Sequence, residues 1–175
     1  MVAGYLAQLL VCENEEKPCG RCRACINAGN NTHPDIIYAE HSGKLGGFSV
    51  DTIRNISTDA YIHPNNSNVK IYIFTDADNI TVQAQNSLLK LIEEPPSYAY
   101  FIFTAHSKSV FLETIISRAV SLSVSQTDIS TALTALNDYG VTEEQANDAV
   151  GCFGGNIGMC LDYINQDELK NAVQL

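Results

Sequence analysis

The sequence predicts an α/β fold with a parallel sheet, followed by a smaller helical segment. Residues 71–74 and 100–103 are continuous apolar runs, which are typical of strands buried on both faces of a parallel sheet. A helical pattern, residues 81–94, separates these two runs. Each run is followed by a threonine, Thr75 or Thr104. Because ligands bind at the carboxyl ends of strands in open α/β sheets, we expect a site there.

Length and composition limit the classes of protein to consider. The 175 residues suffice for one domain, or one and a fraction, and carry a formal net charge of −10. That charge argues against the chain alone binding a nucleic-acid backbone, although other chains of a complex could supply a basic surface. No apolar run approaches the ~20 residues of a membrane span. We therefore expect a cytoplasmic protein with no membrane partner.

The first part of the chain is predicted to contain a helix, a short strand and a second helix. Residues 2–11 lack the basic start of a signal peptide and have the apolar spacing of a buried helix. The apolar residues expected on its buried face are Val2, Leu6, Leu9 and Leu10. Residues 35–39 are predicted to form a short strand, and Ser49 is the candidate cap of the next helix. The apolar stripe of that helix consists of Val50, Ile53 and Ile56.

Four of the six cysteines lie in one loop, residues 12–25. They are Cys12, Cys19, Cys22 and Cys25, with six, two and two residues between them. Four thiolates can surround a zinc ion tetrahedrally and leave no position for water, so such a zinc would be structural. An iron–sulfur cluster and a loop without metal are the alternatives. The other two cysteines, Cys152 and Cys160, are expected to be small buried hydrophobic residues.

Two other polar segments have simpler interpretations than the sites that they resemble. Residues 42–47 include a Gly-Lys pair, but Leu45 stands where a phosphate loop needs serine or threonine. A surface loop is therefore expected there. His33 precedes Pro34 in a loop, and we interpret it as polar turn material rather than as a metal ligand or an acid–base group.

The chain from residue 127 onward has a helical pattern. The apolar stripe of its first helix consists of Ile129, Leu133 and Leu136. Gly140 is expected to end that helix, and Thr142 is the candidate cap of the second. Residues 156–164 are predicted to form a third helix, and the chain stops in a predicted fourth.

Three segments point to a known family. They are residues 71–78 (IYIFTDAD), 81–96 (TVQAQNSLLKLIEEPP) and 114–118 (TIISR). Together they closely resemble bacterial DNA polymerase III clamp-loader subunits. The cysteine loop is similar to the zinc module of that family, with two residues fewer between its first and second cysteines. The resemblance covers nearly the whole chain.

The resemblance implies an AAA+ fold, which is a P-loop-type parallel sheet with an inserted zinc module, followed by a small helical lid. The family's phosphate loop would precede Met1, so the sheet is expected to lack the phosphate-loop unit. We accordingly expect a partial AAA+ core over residues 1–124 and an incomplete lid over residues 125–175. The third domain of the family, which holds its ring together, is expected to be missing.

The resemblance also implies that this chain does not hydrolyse ATP. Active relatives have Asp-Glu at the end of the strand, to hold Mg²⁺ and to orient the attacking water. Here the pair is Thr75 and Asp76, a degenerate Walker B motif. Thr104 has a sensor-like position, and Met159 falls near the place of a nucleotide-sensing basic residue. A delta-prime-type subunit, with ATP bound by its neighbour, is expected; the alternative is a fragment of the ATP-hydrolysing gamma/tau subunit.

Arg118 has a definite role in that interpretation. Ser117 and Arg118 form the family's Ser-Arg motif, which is presented to the ATP site of the neighbouring subunit. The resemblance therefore implies that Arg118 is an arginine finger acting in trans, although Ala119 stands where cysteine is usual. An isolated arginine at this position would instead be interpreted as a helix cap or a surface ion pair.

The implied partners are the other chains of the DNA polymerase III holoenzyme, a nucleotidyltransferase complex. They are the gamma/tau and delta subunits, with the sliding clamp and primer–template DNA reached through the complex. A free-standing zinc module that binds nucleic acid is a third hypothesis, which the acidic charge of the chain disfavours.

Overall fold

The computed structural model describes residues 2–42 and 46–165. The chain divides into two compact units, Met1–Ser121 and Leu122–Leu175. The first unit contains strands and helices, and the described part of the second contains helices only. Among the helices of residues 2–42 and 46–165, none is long and apolar enough to cross a membrane.

A three-stranded parallel sheet forms the centre of the first unit. Its strands are β1 (Ile36–Tyr38), β2 (Lys70–Phe74) and β3 (Ala99–Phe103), in that spatial order. In the central strand, Ile73 pairs with Tyr38 on one side and with Ile102 on the other. The predicted α/β fold and its three strands are confirmed.

Helices cover both faces of this sheet. They are α1 (Val2–Val11), α2 (Arg23–Gly29), α3 (Val50–Asp59), α4 (Val82–Glu93) and α5 (Glu113–Ile116). Ile71 and Ile73 pack in an apolar cluster with α1 and α2, whereas Tyr72 and Phe74 pack in a second cluster with α3 and α4. All of β2 is buried, which explains why residues 71–74 are continuously apolar rather than alternating.

Ser49 and Thr81 cap α3 and α4 as predicted. Ser49 Oγ accepts a hydrogen bond from the Thr52 N–H at 3.1 Å. Thr81 Oγ1 accepts one from the Ala84 N–H at 3.2 Å. Each cap satisfies an N–H group that the first turn of a helix leaves without an intrahelical partner.

The predicted buried face of α1 is wrong. Ala3, Ala7 and Val11 are buried, whereas Val2 is 45% exposed. α1 packs against α2, and alanines allow two helices to approach closely. Because almost every residue of α1 is apolar, the spacing of apolar residues could not identify its buried face.

The described part of the second unit contains three helices, α6 (Ile129–Asp138), α7 (Glu143–Phe153) and α8 (Ile157–Asn165). Thr142 caps α7 in a capping box with Gln145, as predicted from its position. Gly140 follows α6 with a φ of 80°, a conformation that glycine adopts at little cost. The predicted fourth helix lies outside the described residues.

The core of the second unit differs from the prediction at two places. Ala132 and Leu136 are the buried residues of α6, whereas Ile129 is exposed, so the predicted stripe is correct only toward the end of the helix. Cys160 is buried as expected, but Cys152 is exposed, and its predicted burial is wrong.

Candidate metal centre, strand-end site and Arg118

The loop between α1 and α2 brings the four predicted metal-ligating thiols together. Their Sγ atoms, in Cys12, Cys19, Cys22 and Cys25, all lie within 4.8 Å of one another. Cys12 directly follows α1, Cys22 is the N-cap of α2 and Cys25 lies in the first turn of α2. The ends of two helices therefore fix three of the four sulfurs.

Backbone N–H groups point at several of these sulfurs. The N–H groups of Cys22 and Cys25 donate to the Sγ atoms of Cys19 and Cys22 respectively, each at 3.3 Å. The N–H groups of Arg21 and Cys22 lower the pKa of Cys19 to about 6. The N–H of Cys19 likewise lowers the pKa of Cys12, whereas burial raises the pKa of Cys25 to about 12. Donors of this kind favour the thiolate, which is the form that binds metals.

This donor set fits a zinc ion. Zn–S bonds of ~2.3 Å in a tetrahedron separate the sulfurs by about 3.8 Å. Cys19 Sγ and Cys25 Sγ are 3.9 Å apart, and all four cysteines are free of disulfide bonds. Four thiolates could therefore hold one ion and leave no position for a reacting water, as in a structural site.

The carboxyl ends of β2 and β3 meet, and they bring together three of the predicted site residues. The Asp76 N–H donates to Thr104 Oγ1 at 2.9 Å, and the Ala77 N–H donates to the Thr104 carbonyl oxygen at 2.7 Å. Asp76 has a φ of 48°, so the chain turns sharply after Thr75 and leaves the Asp76 side chain exposed. Thr104 thus stabilises the turn that carries Thr75 and Asp76 through two hydrogen bonds.

Two histidines at this edge of the sheet were not identified from the sequence. The His106 N–H donates to Asp78 Oδ1 at 2.9 Å, and His106 Nδ1 lies 2.9 Å from Asp78 Oδ2. These hydrogen bonds raise the pKa of His106 and lower the pKa of Asp78. His41 Nε2 lies 3.5 Å from Thr75 Oγ1. The sequence signal that could have found these residues is the expected meeting of the strand ends, since no motif contains them.

Arg118 lies just beyond α5, and its side chain contacts its own unit. Its Nη1 donates to the Thr114 carbonyl oxygen at 2.9 Å and to Ser117 Oγ at 3.3 Å. Its Nη2 is 3.0 Å from Glu93 Oε1, and 40% of the side chain is exposed. Ser117 Oγ also donates to the Thr114 carbonyl oxygen at 3.1 Å. None of these contacts involves Thr75, Asp76 or Thr104.

Two further predicted features lie elsewhere. Met159 is in α8 of the second unit and is 49% exposed. Residues 43–45, which include the Gly-Lys pair that we distinguish from a phosphate loop, lie outside the described residues.

Comparison with known proteins points to one family. A sequence profile described as "DNA polymerase III, delta subunit" matches residues 1–128. The DNA polymerase III subunit delta' of Haemophilus influenzae is 33% identical over 142 residues, which are 80% of this chain and 43% of that protein. The gamma/tau subunit of Mycoplasma genitalium is 30% identical over 144 residues, which are 81% of this chain and 24% of that protein.

A solved structure has a similar fold. It is the crystal structure of a DNA polymerase III gamma subunit-related protein from Thermotoga maritima, with a TM-score of 0.50 and 22% identity over 71% of this chain and 47% of that one. The chain spans less than half the length of the curated relatives that it matches. Since the family profile covers most of the sequence, the chain belongs to the clamp-loader subunits of bacterial DNA polymerase III, the delta-prime and gamma/tau family of AAA+ proteins.

Proposed function

We propose that this chain acts in a delta-prime-type subunit that does not hydrolyse ATP and that helps load the sliding clamp onto primed DNA. Its contribution to ATP hydrolysis is to present Arg118 to the nucleotide of a neighbouring subunit. The observation that carries the proposal is the turn after β2, where Thr75 and Asp76 together offer a single carboxylate.

The chemistry of phosphoryl transfer supports this interpretation of the turn. The reaction needs carboxylate oxygens for Mg²⁺ and a group that orients the attacking water. Thr75 supplies only a hydroxyl, and Asp78 is already engaged by two contacts with His106. Asp76 would have to serve both purposes, and its side chain is one methylene shorter than the glutamate of active relatives.

The environment of Arg118 supports a role in trans. Its guanidinium is permanently charged, and its side chain remains 40% exposed beside the end of α5. An arginine finger neutralises the charge that develops on the transferring phosphoryl group, and it is typically worth about 10³–10⁵ in rate. Ser117 supports the finger through its contacts with Arg118 and with the Thr114 carbonyl oxygen.

The cysteine loop has a structural role in the proposal. Zinc bound by its four thiolates would join the end of α1 to the start of α2. The neighbouring gamma/tau and delta subunits would bind the ATP and complete the assembly, through which the sliding clamp and primer–template DNA are reached. The net charge of −10 fits a chain that reaches DNA through its partners.

The gamma/tau relatives support a second candidate, a piece of the ATP-hydrolysing subunit. ATP hydrolysis by a full-length protein containing this chain, assayed without partner subunits, separates the two candidates. The delta-prime-type proposal predicts no hydrolysis above background. Hydrolysis that Asp76→Ala abolishes would establish the gamma/tau alternative and end the proposal.

A further inference from the structure

The end of α4 carries two carboxylates where the helix disfavours them. Glu93 is the last residue of α4 and Glu94 is its C-cap, at the negative end of the helix macrodipole. The two differ in their surroundings. Glu93 Oε1 lies 3.0 Å from Arg118 Nη2, whereas no ion pair involves Glu94 within residues 2–42 and 46–165.

Arg118 is consequently held at the ends of two helices at once. Nη1 uses both of its N–H groups at the end of α5, on the Thr114 carbonyl oxygen and Ser117 Oγ. Nη2 uses one N–H on Glu93, across the gap to α4. A guanidinium has five N–H groups, so within residues 2–42 and 46–165 these contacts leave the Nε–H and the second Nη2–H for another acceptor.

We propose that Glu93 is a positioning residue for Arg118, and that it holds the guanidinium in the orientation that engages a phosphate of the neighbouring subunit. This inference rests on the proposed function of Arg118 as a finger in trans. Arginine has a long side chain with many rotamers, and ordering it before assembly reduces the entropy lost when it binds. The carbonyl of Thr114 fixes one edge of the guanidinium, and Glu93 fixes its rotation about that edge.

The exposure of the ion pair indicates that Glu93 orients the Arg118 guanidinium without holding it strongly. The Arg118 and Glu93 side chains are 40% and 47% exposed, and ion pairs in such surroundings are weak. Glu93 therefore orients Arg118 without competing strongly against a phosphate, which pairs with arginine through stronger, bidentate hydrogen bonds.

The test is steady-state ATP hydrolysis by a reconstituted clamp loader that contains the full-length protein. Glu93→Ala should lower kcat by about two- to fivefold, the range expected for losing an exposed ion pair, and should leave KM for ATP unchanged. Glu93→Gln keeps an acceptor oxygen for Nη2 and should lose less. Glu94→Ala is the matched control, because Glu94 is an exposed carboxylate at the same helix end, and its kcat should be unchanged.

A second set of variants asks whether Glu93 acts through Arg118. In an Arg118→Ala background, Glu93→Ala should lower kcat no further. Three results would overturn the inference and leave the proposed function intact. The first is an additional loss of kcat in that background, and the second is equal losses for Glu93→Ala and Glu94→Ala. The third is no loss for Glu93→Ala while Arg118→Ala slows hydrolysis. No effect of Arg118→Ala in an assembled loader would overturn both.

Discussion

Asp35 is a buried carboxylate that joins the start of β1 to the loop before β2. Its Oδ1 accepts from the Asn65 N–H at 2.5 Å, and its Oδ2 accepts from the N–H groups of Asn66 and Ser67 at 2.7 and 2.8 Å. Burial raises the pKa of Asp35, but these three donors outweigh burial and hold the pKa below its usual value. His33, predicted to be polar turn material, is buried, and its Nδ1 accepts from the Asp35 N–H at 3.1 Å. Both residues thus stabilise a turn.

Replacing Asp35 with asparagine should destabilise the chain in a pH-dependent manner. Asp35→Asn should lower the free energy of unfolding at pH 7 by about 2 kcal/mol, because an amide has one acceptor oxygen where two are needed. A carboxyl group whose pKa is lowered by folding stabilises the protein above its unfolded pKa of ~3.9, and that stabilisation is lost as the pH falls through its folded pKa. The difference between the two proteins should therefore shrink below about pH 4. Urea unfolding of both proteins, at pH 7 and below about pH 4, measures this difference.

Asp51→Asn is the control for this experiment. The Asp51 side chain is 86% exposed and pairs only loosely with Arg54, at 3.4 Å. Its replacement should change the free energy of unfolding by less than about 1 kcal/mol. Equal effects of the two substitutions, or an Asp35→Asn effect that is the same at every pH, would argue against the anchoring role.

At the scale of single elements, the cysteine loop has few apolar contacts of its own. Residues 13–17 are all exposed, and the buried residues of the loop 12–25 are Cys12 and Cys25. Such a loop buries too little apolar surface to order itself. A metal ion held by four thiolates can supply on the order of 10 kcal/mol for that purpose.

Purified protein should therefore contain equimolar zinc. Cys19→Ser should lower the zinc content and make residues 13–17 susceptible to proteolysis, because three thiolates bind zinc less tightly than four. Elemental analysis and limited proteolysis, with and without a chelator, measure both effects. Cys152→Ser is the control, since Cys152 is exposed and lies in the other unit. Full zinc content in Cys19→Ser, or iron in place of zinc, would refute the assignment.

The connection between α7 and α8 depends on a glycine. A Cβ at Gly155 would collide with the carbonyl group of Thr127, whose Oγ1 donates to the Gly155 carbonyl oxygen at 2.8 Å. The two backbone segments approach too closely for any side chain. By contrast, a Cβ at Gly151 in α7 would meet no atom within 4 Å.

Alanine should have opposite effects at these two glycines. Gly155→Ala should destabilise the second unit by about 1–3 kcal/mol, since the backbone must move to relieve the overlap. Gly151→Ala should stabilise it by about 0.5–1 kcal/mol, because alanine restricts the unfolded chain and favours the helix. Thermal unfolding followed by circular dichroism measures both changes, and effects of the same sign would contradict the close approach at Gly155.

At the scale of the whole molecule, the sequence predicts the sheet better than it predicts helix faces. The strands are recognisable because burial on both faces leaves a continuous apolar run such as residues 71–74. The buried face of α1 is not recognisable, since nearly all of its residues are apolar and the packing against α2 and the sheet selects among them.

The candidate sites likewise contain contacts that the sequence predicts and contacts that it does not. The four cysteines are close in sequence, and Thr75, Asp76 and Thr104 follow neighbouring strands, so their proximity could be predicted. The contacts of Asp78 with His106 and of Glu93 with Arg118 join distant segments, and their pairing depends on loop conformations that no motif specifies. The meeting of the strand ends is the signal for His106, and a carboxylate at the disfavoured end of α4 is the signal for Glu93.

The most direct test of the proposed function is ATP hydrolysis by a reconstituted clamp loader carrying Arg118→Ala. The finger in trans predicts that assembly is unchanged in gel filtration, whereas hydrolysis at the neighbouring site falls by about 10³-fold or more. Arg118→Lys should restore only part of the rate, because lysine keeps the charge but lacks the planar pair of donors. Undiminished hydrolysis by a fully assembled Arg118→Ala complex would contradict the proposal.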